Sequence, residues 1–105
     1  MTPQELTTTT IWAKELQRAY ADRWAAADRF EASGAEEDER AFEAASERFW
    51  DVIRSITARR ATTPEALAVK ASALKMIYAE ELKGTATDVS LLRSIVDDAE
   101  RVGRN

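Results

Sequence analysis

Three carboxylates, Glu43, Glu47 and Asp51, follow one another at i, i+4 and i+8, with Glu36 and Glu39 just before them. On a helix this spacing puts all three on one face. Oxygen-rich clusters of that kind suit Mg²⁺ or Ca²⁺. Arg40 and Arg48 interrupt the run, and charge mixtures of this sort usually form a solvated face. A second group is basic: Arg54, Arg59, Arg60, Lys70 and Lys75 fall in a segment, 52–78, that holds a single acid. Such a spot could meet an acidic partner or nucleic acid. A third group is aromatic. Trp12, Tyr20 and Trp24 recur at helical spacing, and Trp50 stands beside the apolar seam of a later helix. Tryptophan and arginine dominate interface hot spots, so these aromatic and basic residues are the interaction candidates.

Composition removes most catalytic chemistry. The chain of 105 residues has no histidine and no cysteine. Thiol nucleophiles, histidine bases, Ser-His-Asp triads, disulfides and the usual Cys/His zinc sites are therefore excluded. Glu36-x-x-Glu39 fits half of the paired carboxylate motif of all-α nucleotide pyrophosphohydrolases, but no Glu-x-x-Asp follows it. The expectation is a non-enzymatic protein with no catalytic residue, metal ligand or cofactor. The net charge of −4 argues against duplex nucleic acid, whose binding domains carry a more basic balance. No window approaches the ~18 consecutive apolar residues of a membrane span, and Met1–Glu5 lacks the basic start of a signal peptide. A cytoplasmic protein with no membrane contact is expected.

The elements that must carry these residues are helices. Three glycines and two prolines punctuate a chain rich in Ala, Glu, Arg and Leu, which are strong helix formers. The first helix is predicted over about 10–33, capped from the threonine run Thr7–Thr10, with Trp12, Leu16, Tyr20, Trp24, Ala27 and Phe30 along its apolar side. Gly34 is the candidate residue just past its end. The second, over about 36–59, opens on four acids that suit the positive end of the helix dipole and closes near Arg59 and Arg60. Its seam is Phe42, Ala45, Phe49, Val52 and Ile56, with Trp50 and Ile53 as flanks.

Thr63 and Pro64 read as N-cap and first residue of a third helix over about 64–83. Its stripe is Leu67, Ala71, Leu74, Ile77, Tyr78 and Leu82, and Gly84 ends it. A fourth helix over about 86–102 follows the Thr85-x-x-Asp88 cap and presents Leu92, Ile95, Val96, Ala99 and Val102. The fold class is all-α: one domain over 1–105, a long antiparallel hairpin with two shorter helices across its open face.

The stretch Trp50-Asp51-Val52-Ile53, followed by Ala61-Thr62-Thr63-Pro64-Glu65-Ala66-Leu67-Ala68-Val69-Lys70-Ala71, resembles a set of short helical proteins of alphaproteobacteria. Many of those are encoded in prophage or other mobile regions. Their pattern has glycine where this chain has Ala66. The resemblance implies bacterial provenance and brings no activity with it. Three tryptophans on an amphipathic hairpin leave apolar surface to cover, which predicts a homodimer. The functional expectation is a helical protein–protein interaction module with an unidentified protein partner, in its specific form a phage or mobile-element inhibitor or adaptor. The competing expectation is a weak nucleic-acid-binding or regulator module that uses the basic segment 54–75.

Overall fold

A computed structural model describes residues 3–79 and 86–103, with side chains over 8–79 and 89–102. The described residues form four helices and no strand: α1 (Pro3–Ser33), α2 (Glu36–Ala58), α3 (Pro64–Ala79) and α4 (Ala86–Gly103). The protein is a small all-α bundle. α1 and α2 make the antiparallel hairpin, α3 and α4 pack together, and this second pair lies across the hairpin with α3 against α1 and α4 against α2. Leu82 of the expected α3 stripe, Gly84, predicted to end α3, and the Thr85 cap of α4 lie outside the described residues.

α1 begins seven residues earlier than expected. Thr7–Thr10 lie inside it and do not cap it. Threonine is a poor helix former by only a few tenths of a kcal/mol, which packing overrides. The other end follows its sequence signal. Gly34 takes φ +64°, and its N–H donates to the Phe30 carbonyl at 2.8 Å. That left-handed turn is cheap for glycine and costly for residues with a Cβ. The Ser33 hydroxyl receives the Ala35 N–H at 3.1 Å and donates to Asp38, so the link between the helices is fully tied. α2 stops at Ala58, and Arg59 and Arg60 lie beyond it in the loop instead of in its last turn. The Thr63 cap is as predicted, its hydroxyl accepting the Ala66 N–H at 3.2 Å.

The molecule is long for its mass. Its radius of gyration is 15.2 Å, against about 13 Å for a compact chain of this size. The cause is where the core sits. Trp12, Leu16 and Ala19 of α1 meet Phe49, Ile53 and Ile56 of α2, Ala61 of the loop, Ala66, Val69, Ala73 and Ile77 of α3, and Leu91 of α4. All of these lie toward one end of the hairpin. The other end projects past α3 and α4 and is held by contacts between α1 and α2. There Phe30 stacks on Phe42 at 6.4 Å, and Arg23 lies 5.3 Å over the Phe42 ring and bonds to the Ser46 hydroxyl.

Candidate functional site

The inward faces of α3 and α4 coincide only in part with the apolar stripes expected from the sequence: Ile77 is buried and Leu67, Leu74 and Ile95 pack against the core. On α3 the buried residues are Ala66, Val69, Lys70, Ala73 and Ile77, while Ala71 and Tyr78 face out. On α4 they are Leu91 and Asp98, with Ser94 and Ile95 half-buried. Both faces therefore include a charged side chain, and the two charges meet. Lys70 has no exposed surface. Its Nζ donates to Asp98 Oδ2 at 2.5 Å and to the Ser94 hydroxyl at 2.7 Å.

Asp98 gathers donors from three elements. Oδ2 also accepts the Ala61 N–H at 3.0 Å, and Oδ1 accepts from Arg101 Nη1 at 3.1 Å. Ser94 in turn donates to the Thr57 carbonyl at 3.0 Å. That carbonyl belongs to the last turn of α2, where the helix has no partner of its own to offer. One network thus ties the end of α2, the loop, α3 and α4. Burial alone would raise the Asp98 carboxyl. The Lys70 hydrogen bond, the Ala61 N–H and the Lys70 and Arg101 charges outweigh it, and the group sits below the usual carboxylate value.

A carboxylate depressed in the fold stabilises above its unfolded value, about pH 4, and loses that contribution as pH falls through its folded value. The urea midpoint gap between the native chain and Asp98→Asn should therefore be constant from pH 7 to 5 and shrink below about pH 4. A gap that held unchanged to pH 2 would contradict this assignment.

Above the network lies an open cleft of about 390 Å³ between the end of α2, the loop and α4. Arg59, Arg60, Ser90, Arg93, Asp97 and Arg101 form its polar walls. The basic segment expected from the sequence is thus divided. Arg59 and Arg60 reach the cleft, whereas Arg54 pairs with Asp51 at 2.6 Å, Lys75 is exposed on α3, and Lys70 is no surface charge at all. Lys70 is buried because its partner comes from another helix, which local spacing around Glu65 could not indicate. Arg93, Arg101 and Asp98 were not among the sequence candidates. Their one signal is a polar residue recurring at 3–4 spacing on the inner side of α4.

The aromatic candidates also separate. Trp12 belongs to the core, with Arg59 5.5 Å over its ring and its Nε1 without an acceptor. Trp50 is half-buried and edge-on to Phe49 at 5.7 Å, packing partly on the core. Tyr20 bridges Phe49 at 5.6 Å and Trp24 at 6.3 Å. Trp24 is 47% exposed, off the inward face. The acid row is exposed too, and Glu36 pairs with Arg40 at 3.0 Å. Among the described residues no group of three or more carboxylates is placed to hold a metal ion, and no helix is long and apolar enough to cross a membrane.

The fold and this site define a small four-helix protein whose two halves are joined through a buried polar network. No family model, curated protein or solved structure matches the chain.

Proposed function

We propose that this chain is a non-enzymatic helical interaction module that pairs with a second copy through the outer face of α4. The observation that carries the reading is a second apolar row on that helix. Its inner face places Leu91 and Ile95 on the core beside Ser94 and Asp98, while Val89, Leu92 and Val96 stand outward at 51, 44 and 48% exposure. Ala99 continues the row, also exposed. The steps of 3, 4 and 3 make a two-heptad seam of the kind that helices use to pair. The same surface on a second copy matches it about a two-fold axis, the commonest symmetry of soluble oligomers. A dimer of this form leaves the acidic face of α2 and the projecting end of the hairpin open to a further protein partner. That suits an adaptor or inhibitor encoded by a mobile element.

The mass in solution tests the pairing. Light scattering over a concentration series should give twice the 11.7 kDa chain mass. Leu92→Glu, at an exposed position, should return the mass to that of one chain with the helical content unchanged. A native chain that stays monomeric at high micromolar concentration, or a Leu92→Glu variant that still dimerises, would refute the α4 seam.

A further inference from the structure

The cleft over the ion pair is out of character with the rest of the surface. The chain carries net charge −4, yet four arginines, Arg59, Arg60, Arg93 and Arg101, line the cleft beside Asp97 and Asp98, with the Lys70 ammonium bonded to Asp98 and the Arg59 guanidinium turned over the Trp12 ring. Asp98 is already committed to Lys70, Ala61 and Arg101. Arg60 and Arg93, by contrast, form no ion pair among the described residues, and the Ser90 hydroxyl, also lining the cleft, has no hydrogen bond among them. Like charges gathered in a concave surface repel one another and focus a positive potential. Ion pairs within the fold do not relieve that cost at Arg60 and Arg93, and a bound anion would.

We infer that this cleft is a binding site for a small phosphorylated molecule, with its phosphate held between Arg60 and Arg93. Guanidinium presents a planar fork of donors that fits phosphate oxygens two at a time. Two such groups with no internal partner match the two charges of a phosphate monoester. Ser90 supplies a neutral donor at the rim. At about 390 Å³ the cleft exceeds what inorganic phosphate fills and lies within the range of about 300–1,000 Å³ common for small-molecule sites. An organic portion therefore has room along Ser90 and Asp97, whose carboxylate can accept hydroxyls. Duplex DNA fits less well, because the site is a concavity in an acidic protein and not a basic ridge. The site is built from one chain, and Val89, at the start of the α4 seam, is also among its lining residues.

Calorimetry at fixed ionic strength tests the site, with ribose 5-phosphate and inorganic phosphate as probes. Ribose 5-phosphate should bind once per chain, more tightly than phosphate alone. Arg60→Ala and Arg93→Ala should each weaken it by roughly tenfold, the expected loss of a charge-assisted bond. Arg54→Ala, whose group pairs with Asp51 outside the cleft, should leave it unchanged. Both cleft arginines are exposed, so their variants should keep the native circular dichroism. The inference fails if neither probe binds at millimolar concentration, or if the Arg60 and Arg93 variants bind as the native chain does. Tighter binding of a duplex DNA than of ribose 5-phosphate, lost in the same two variants, would also overturn it in favour of nucleic acid.

Discussion

Lys70→Met should destabilise the protein by about 3–5 kcal/mol, a large share of the 5–15 kcal/mol that holds a typical domain together. The reason is what the substitution leaves behind. Asp98 would remain buried with its main counter-charge gone, held by the Ala61 N–H and by Arg101, which is itself partly in solvent. Adding Asp98→Leu removes the stranded charge and should recover much of the loss. It should not recover all of it, because Ala61 then has an N–H with no acceptor. A double-mutant cycle in urea measures the difference, and neighbours in one network are expected to be strongly non-additive. If Lys70→Met cost less than about 1 kcal/mol, the pair would be solvated in solution and its place in the core would have to be given up.

Phe49→Ala should cost about as much, 3–5 kcal/mol, by a different route. Phe49 has no exposed surface and lies at the crossing of the hairpin with the second pair of helices. It touches Tyr20 and Trp50 on either side, with Arg23 6.0 Å above its ring. Alanine would leave a cavity that three large neighbours cannot all fill. Near-ultraviolet circular dichroism should lose intensity with stability, since Tyr20 and Trp50 take their fixed orientation from this ring. A thermal scan within two or three degrees of the native chain would contradict the packing described.

The helices among the described residues, the stop of α1 at Gly34 and the start of α3 at Thr63-Pro64 were legible from local signals. Gly34 and the Thr63-Pro64 pair act over one turn, and their chemistry is decided before any tertiary contact forms. The hairpin followed from the brevity of its link. The faces of α3 and α4 were legible only in part, and for one physical cause: apolar spacing alone does not mark a core face that includes charges. On α3 it points to Leu67, Ala71, Leu74, Ile77 and Tyr78; Ile77 is buried and Leu67 and Leu74 pack on the core, but Ala71 and Tyr78 are exposed. On α4 it points to Leu92, Ile95, Val96, Ala99 and Val102; Ile95 packs on the core and Val102 is half-buried, but Leu92, Val96 and Ala99 are outward. Lys70 and Asp98 each fit the inner face at 3–4 spacing, but neither can be buried without the other. The information is in the pair, 28 residues apart, and no window on one helix contains it. The candidate site shared this fate. Arg59 and Arg60 are visible as a basic spot, but the cleft they line also takes Arg93 and Arg101 from α4, 33 or more residues further along the chain.

The ion pair also makes the two shorter helices depend on each other. Lys70 sits on the face by which α3 joins the core, and an ammonium group without a partner is prohibitively costly to place there. The hairpin's buried face is completed by residues of α3 and α4, and α3 places its lysine on that face only against Asp98 of α4. Docking of α3 and docking of α4 are therefore energetically coupled: a state with one helix seated and the other detached strands a buried charge and is disfavoured, so the two are expected to detach together as one cooperative unit.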